Sequence, residues 1–356
     1  MRDQWLRDPV WAGSRGLLVL LLGITLLLGA IDLLRLPFSS VDLAARNWVD
    51  LIKASGCLAL VWLACSFVLY RLNRDFSRMA QVIRGVAERV RAFAALVGAF
   101  LPLSMSISVF MYLSSATDKP LTDAELAMID EALGFNWLNF LIAVNESAFF
   151  STVLLVAYHS LAFQVPLVLF WHAMQRSEHY AIEFIALFGI SATISLALMS
   201  VIPAAGAYTY FDPGPADFSN FTAQAGMWHY SVLSALRSGM PFELVLTEVN
   251  GLVTFPSFHT TLGILVVYSL RHSALWIPVG MLNLLMIIGT LPEGGHYLID
   301  VIAGMMVAAT SILAVRTYSA RLAHFDRQRN PLAVGAGIEE TNLIGDTTTA
   351  FPDARR

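Results

Sequence analysis

The chain has 356 residues, of which 57% are hydrophobic and only 13% are charged, with a net charge of −4. A soluble protein carries about 25% charged residues and cannot bury this much apolar surface. The composition therefore predicts a membrane protein, and the negative net charge argues against nucleic acid as a partner.

Eight apolar stretches have the length and character of membrane-spanning helices. In chain order they cover residues 16–34, 54–70, 92–115, 147–173, 183–205, 257–271, 274–290 and 297–318. The sixth and seventh stretches are short and meet at Arg271, which predicts a tight helical hairpin. The predicted fold is an all-α polytopic membrane protein with about eight transmembrane helices.

The distribution of basic residues predicts the orientation of these spans. If the N-terminus is inside and the spans alternate, 17 of the 22 Lys and Arg residues lie on the inner side. Cytoplasmic loops carry an excess of Lys and Arg, so we predict that both termini are cytoplasmic.

Two polar segments flank the predicted membrane core. Residues 75–91 place apolar side chains at helical spacing among arginines, which predicts either a basic amphipathic helix on the inner leaflet or a solvated helix leading into the third span. From about residue 326 the chain is polar and contains Gly, Pro and Thr, which predicts a disordered tail.

A short helix is predicted between the third and fourth spans. Thr122 and Glu125 form a capping-box pattern at its start, and Gly134 follows its end. The residues that share its predicted apolar face are Leu126, Ile129 and Leu133. We expect this helix to lie on the outer surface.

Two polar clusters stand where the sixth and eighth spans begin. The first covers residues 255–259 and reads Phe-Pro-Ser-Phe-His, and the second covers residues 293–300 and reads Glu-Gly-Gly-His-Tyr-Leu-Ile-Asp. The predicted topology puts both clusters on the outer side. Because the sixth and seventh spans form a hairpin, the starts of spans six and eight can be neighbours.

These clusters contain the residues that phosphoryl transfer through a phosphohistidine needs. His296 and Asp300 are four residues apart, so on a helix they share a face, and the carboxylate can hold one imidazole nitrogen while the other acts as nucleophile. His259 is then available to protonate a leaving oxygen. Pro256 and Ser257 suit the start of a helix, whose free N–H groups attract anions. A lone pattern of either kind is often structural, so the prediction depends on both occurring together.

The Pro-Ser-x-His motif at 256–259 and the His-x-x-x-Asp motif at 296–300 resemble those of the type-2 phosphatidic acid phosphatase superfamily. The resemblance implies a six-helix catalytic core, mapped onto residues 92–320, with His296 as nucleophile, Asp300 as its orienting partner and His259 as acid and base. The remaining predicted parts are a two-span extension over residues 1–91 and a cytoplasmic tail over residues 321–356.

The chain also departs from the superfamily pattern. The superfamily's first motif, a Lys followed seven residues later by Arg-Pro, is absent, and its third motif begins with Ser-Arg where this chain has Gly289 and Thr290. Two cationic phosphate clamps are therefore missing. This pattern resembles the inositol phosphorylceramide synthase branch and its bacterial members, which implies a bacterial inner membrane, and the predicted topology puts the active site on its outer side.

Some other group must offset the phosphate charge. Arg237 is the one cation in the outer loop over residues 206–256, and we predict that it is either a phosphate clamp or a surface arginine facing lipid headgroups. The predicted substrate-binding residues are Pro256, Ser257, Phe258, Arg237, Gly295 and Tyr297.

Three further polar residues have two interpretations each. Tyr158 and His159 lie within the fourth span, where polar side chains are hydrogen-bonded in the interior or line a cavity. Glu293 can bind a hydroxyl group of an acceptor or can be solvated at the surface.

The sequence thus predicts a lipid phosphate phosphatase or phosphotransferase that uses no metal and no cofactor. The predicted substrate is a membrane lipid phosphate, with a polyol or a lipid alcohol as a further partner if the enzyme is a transferase. An inositolphosphoryl-type transferase is the first alternative. A non-catalytic transporter or scaffold is the second, although the inverted repeats that are typical of transporters are not found.

Overall fold

The computed structural model describes residues 15–222 and 224–329. The α-helices of these residues are α1 Arg15–Arg35, α2 Arg46–Arg71, α3 Arg78–Ser115, α4 Asp123–Ala132, α5 Trp137–Asn145, α6 Ala148–Met174, α7 Glu178–Val201, α8 Ala207–Phe211, α9 Tyr230–Arg237, α10 Phe258–Ser269, α11 Trp276–Gly289 and α12 Leu298–Arg329. The two strands are β1 Val41–Leu43 and β2 Phe242–Leu244. The chain divides into two units, Met1–Ile312 and Leu313–Arg356, and the candidate site lies within the first.

Six of the described helices, α1, α2, α3, α6, α7 and α12, are long and apolar enough to cross a membrane. The predicted all-α polytopic fold is therefore confirmed. Helices α10, with 12 residues, and α11, with 14, are shorter apolar helices, and the count of eight spans stays a prediction. At 1.5 Å per residue they are about 18 and 21 Å long, which is less than the roughly 30 Å of the hydrocarbon core.

The basic segment at 75–91 is not a separate helix lying on the inner leaflet. It forms the first part of α3, a continuous helix of 38 residues whose N-terminus is capped by the Ser77 hydroxyl. Of the two predicted arrangements, the structure therefore has the helix that leads into the third span. The polar tail predicted from about residue 326 lies outside the described residues from residue 330 onward.

The short helix α4 is present, but its contacts differ from those predicted. The Thr122 hydroxyl donates to the Pro203 carbonyl at 3.0 Å and does not cap the helix. The residues on its buried face are Asp123, Leu126, Ala127 and Asp130, whereas Ile129 and Leu133 are exposed. The helix therefore turns two carboxylates toward the protein and leaves Ile129 and Leu133 on its exposed side.

A small parallel sheet ties the N-terminal helices to the loop that leads into α10. Strand β1 pairs with β2 so that Val41 lies opposite Phe242. The buried Asn47 side chain donates to the Leu244 carbonyl at 2.8 Å and accepts from the Leu246 N–H at 2.9 Å. These contacts fix the loop before the Pro-Ser-x-His motif.

Candidate active site

The Pro-Ser-x-His motif forms the start of α10, as the sequence predicts. The Ser257 hydroxyl accepts from the Thr260 N–H and so caps the helix. The Ser257 N–H donates to the Asp300 carbonyl at 3.0 Å, which joins the starts of α10 and α12. His259 therefore lies in the first turn of α10, beside the segment that carries the second motif.

His296 and Asp300 form the predicted pair, with 3.2 Å between Nδ1 of the imidazole and Oδ2 of the carboxylate. Helix α12 begins at Leu298, so His296 lies in the loop before the helix and the prediction of a shared helix face was wrong. The Tyr297 N–H also donates to Asp300 Oδ2 at 2.9 Å. Because the carboxylate holds Nδ1, Nε2 is the nitrogen that can attack.

The two motif histidines are close enough to act on one phosphoryl group. Their ring centroids are 6.4 Å apart, so both rings can contact one phosphate-sized group. The Tyr158 ring stacks on the His259 ring with 4.6 Å between centroids. Tyr158 therefore fixes the orientation of the predicted acid.

Burial keeps the candidate nucleophile neutral. His296 is only 3% exposed, and burial lowers its pKa to about 4 although a backbone hydrogen bond with Thr254 opposes this change. A neutral imidazole has the lone pair that attack on phosphorus needs. Burial also lowers the pKa of His229, whose Nε2 lies 3.0 Å from the Ala205 carbonyl.

Two buried carboxylates of helix α4 hold the segment that carries the second motif. Asp130 accepts from the N–H groups of Leu298 at 2.7 Å and Ile299 at 2.8 Å. Asp123 accepts from the Gly206 N–H at 2.8 Å and from the Tyr297 hydroxyl at 3.1 Å. Sequence reasoning missed both acids, although their spacing with Leu126 and Ala127 is that of one helix face.

The position of Asp130 limits where a phosphate can bind. A helix N-terminus attracts anions through its free N–H groups and its dipole. At α12 this place is filled by the Asp130 carboxylate. The first-turn amides of α10, at Phe258 and His259, lack acceptors within their own helix, so a phosphate site there stays a prediction.

Glu293 is not a solvated carboxylate. It is fully buried, and its Oε1 lies 2.9 Å from His159 Nε2 and 2.7 Å from the Thr222 hydroxyl that donates to it. The prediction of a surface carboxylate is therefore wrong. Because both contacts are made within the protein, the carboxylate is engaged by its own chain.

Several of the predicted substrate-binding residues support the site through packing. Phe258 packs edge-on against Phe188 at 5.6 Å between centroids, and Tyr297 is fully buried with its hydroxyl on Asp123. Pro256 and Ser257 are buried at the start of α10. Direct contact of these residues with a substrate stays a prediction.

Gly295 packs against Gly226, and both have positive φ angles. A Cβ at Gly226 would lie 2.8 Å from the Gly295 Cα and 2.2 Å from a Tyr208 ring carbon.

We expect Gly226→Ala to lower the free energy of unfolding by about 1–3 kcal/mol, because strain and overpacking add. A lower melting temperature of the purified protein would show this. Gly251→Ala, where a Cβ meets no atom within 4 Å, is the matched control and should leave the melting temperature unchanged.

Arg237 makes its contacts away from the two motifs. Its guanidinium donates to the Lys119 carbonyl. It also lines a cavity of about 310 Å³ whose other lining residues are Leu121, Tyr230, Leu233, Ser234 and Ser238. None of these residues belongs to the histidine cluster, and the role of Arg237 as a phosphate clamp stays a prediction.

Comparison with protein families agrees with the motifs. The family model described as the PAP2 superfamily matches residues 124–314, which is more than half of the chain and includes both motifs. The chain belongs to the PAP2 superfamily. The predicted superfamily is thus confirmed, and membership supports a phosphatase-type activity on lipid phosphates. No curated protein and no solved structure matches the chain.

The finer assignments within the PAP2 superfamily stay predictions. These are the inositol phosphorylceramide synthase-like branch, the bacterial source and the domain boundaries. The described residues of this PAP2 protein hold no group of three or more His, Cys, Asp and Glu side chains arranged for a metal ion. Independence from metals is a prediction that activity assays have to test.

Proposed function

We propose that this PAP2 superfamily protein cleaves or transfers the phosphate group of a membrane lipid through a phosphohistidine at His296. The observation that carries the proposal is the buried His296–Asp300 pair with the His259 ring 6.4 Å away. Nε2 of His296 attacks phosphorus, and the bond between phosphorus and the leaving oxygen breaks. Burial lowers the pKa of His259 to about 3, whereas the negative charge of a bound phosphate raises it, so His259 takes up a proton with the substrate and gives it to that oxygen.

The N-terminus of α10 is the proposed place for the phosphate charge. The amides of Phe258 and His259 supply N–H groups there, and the helix dipole favours an anion. A preorganised set of donors of this kind stabilises the charge that develops in the transition state. Arg237 would join it only if the outer loop moves, so we regard the helix terminus as the main phosphate site.

The surroundings of the histidine cluster support a lipid as the substrate. Tyr158, which contacts His259, lies within α6, a helix that is long and apolar enough to cross a membrane. A lipid phosphate can reach such a site sideways between helices. We propose that the site opens toward the exterior of a bacterial inner membrane, with both termini in the cytoplasm.

Hydrolysis and transfer differ only in what cleaves the phosphohistidine. Water gives a phosphatase, whereas a polyol or a lipid alcohol gives a phosphotransferase. The third motif, which lacks the superfamily's Arg at Thr290, favours the inositolphosphoryl-type transferase as the second candidate. A transporter or scaffold is disfavoured, because the polar residues lie at helix ends and form a paired arrangement with known catalytic use.

An assay of the purified protein tests the proposal. A panel of lipid phosphates and phosphodiesters is supplied with and without inositol or glycerol, and both inorganic phosphate and new lipid products are measured, with a His296→Ala protein as the blank. Phosphate release that does not depend on the alcohol would indicate a phosphatase. A new phospholipid formed only with an acceptor would indicate a transferase. Neither product from any substrate would contradict the proposal.

A further inference from the structure

A second pair of a histidine and a buried carboxylate lies beside the first. His159 Nε2 is 2.9 Å from Oε1 of Glu293, which is fully buried, whereas the His159 side chain is 45% exposed. Glu293 is also held by Thr222, whose hydroxyl and N–H both donate to it. The carboxylate is therefore fixed, and it fixes one nitrogen of a histidine that solvent or lipid can reach.

The second pair adjoins the His259 side of the cluster. His159 follows Tyr158 in α6, and the Tyr158 ring lies between the ring of His159, at 5.2 Å, and the ring of His259, at 4.6 Å. Gly294 lies close to both Tyr158 and His296. A Cβ added to it would lie 2.9 Å from the Tyr158 ring and 3.1 Å from the His296 ring. His159 is thus linked to the motif histidines through Tyr158, whose ring contacts both His159 and His259.

The resemblance implies that His259 serves as both acid and base, and His159 is a second histidine near it that can take the base role. In-line displacement brings the acceptor to phosphorus along the direction in which the leaving group departed, which is the side opposite His296 and close to His259. Since Glu293 holds His159 Nε2 as N–H, the lone pair on Nδ1 of His159 can accept a proton. We propose that His159 is the base that activates the acceptor hydroxyl and that Glu293 is its positioning residue.

This inference rests on the proposed function and assigns the step in which the acceptor cleaves the phosphohistidine. The acceptor is water or the hydroxyl group of a polyol or lipid alcohol. Its oxygen forms a bond to phosphorus while its proton moves to His159 Nδ1, and the bond between phosphorus and His296 Nε2 breaks so that the electron pair returns to that nitrogen. His159 then releases its proton to water, and His259, which protonated the leaving group, takes one from water.

The test follows the phosphohistidine in time. Purified full-length protein in detergent is mixed with phosphatidic acid that carries ³²P in its phosphate, and samples are quenched in base, which preserves phosphohistidine. In His159→Gln we expect formation within about threefold of wild type and breakdown slowed on the order of 10²-fold, the usual contribution of a general base. His272→Gln, an exposed histidine at the turn between α10 and α11, is the matched control and should leave both rates unchanged.

Glu293→Gln gives an independent measurement. It should also lengthen the life of the phosphohistidine while formation persists, and a merely structural loss would lower both rates together. Equal loss of formation and breakdown in both variants, or no change in either variant, would overturn the role of His159. A wild-type enzyme that turns over without any labelled His296 would overturn the proposed function itself, and the role of His159 with it.

Discussion

His296→Ala should lower the turnover of lipid phosphate by at least about 10⁴-fold, which is the scale of losing a covalent nucleophile. In the proposed mechanism the imidazole supplies the atom that bonds to phosphorus, and no neighbouring side chain can replace it, because Asp300 faces Nδ1 at 3.2 Å and the His259 ring lies 6.4 Å away. Turnover and the amount of labelled phosphohistidine are measured together. Both should fall in the variant.

The matched control for this prediction is His172→Ala. His172 is also only 3% exposed, and it lies near the C-terminal end of α6. Its two ring nitrogens contact the hydroxyls of Ser177 and Ser269 at 2.9 Å. This variant should lose stability to a similar extent but keep turnover within a few-fold of wild type. If His296→Ala keeps more than a tenth of wild-type turnover, His296 is not the nucleophile.

Asp130→Asn is expected to have the second largest effect. Two N–H groups at the start of α12 depend on this 2% exposed carboxylate, and hydrogen bonds to a charged group contribute about 1.5–3 kcal/mol each. The amide keeps one acceptor oxygen, so we expect a loss of about 2 kcal/mol in the free energy of unfolding. We also expect a ten- to hundredfold lower kcat, because Asp300 and His296 shift with the helix start.

The split between kcat and KM distinguishes a positioning role from general damage. Asp130 contacts the backbone of α12 and lies away from the phosphate site at α10, so KM should change by less than about threefold. Glu131→Gln, which alters the exposed neighbour on the same helix, should leave kcat, KM and the melting temperature unchanged. An Asp130→Asn protein with wild-type kcat would refute the positioning role.

The sequence alone was sufficient for the class of protein and for the chemistry of the motifs. Membrane helices are recognised from about twenty consecutive apolar residues, and a helix start such as Ser257 is recognised from its immediate neighbours. His259, His296 and Asp300 were found because each motif spans four or five residues. Such local patterns do not depend on the rest of the fold.

The lengths of α10 and α11 were harder to predict. Hydropathy marks where an apolar segment begins and ends. The sixth and seventh stretches, however, include residues that belong to turns and lie outside helices α10 and α11. The same limit explains the error for His296, which the spacing rule placed on α12. The capping of α12 by Asp130 starts the helix at Leu298, and Asp130 is 168 residues away in the chain from Leu298.

Only the tertiary structure decided which polar residues surround the motifs. Asp123, Asp130 and Glu293 read as ordinary charged residues of outer segments, because a carboxylate has the same local sequence pattern whether it is solvated or buried. Their partners lie 71 to 174 residues away in the chain, as in the contacts of Glu293 with Thr222 and of Asp123 with Tyr297. The sequence determined the candidate reacting groups, whereas long-range packing determined what holds them, since desolvation and hydrogen bonding depend on distant neighbours.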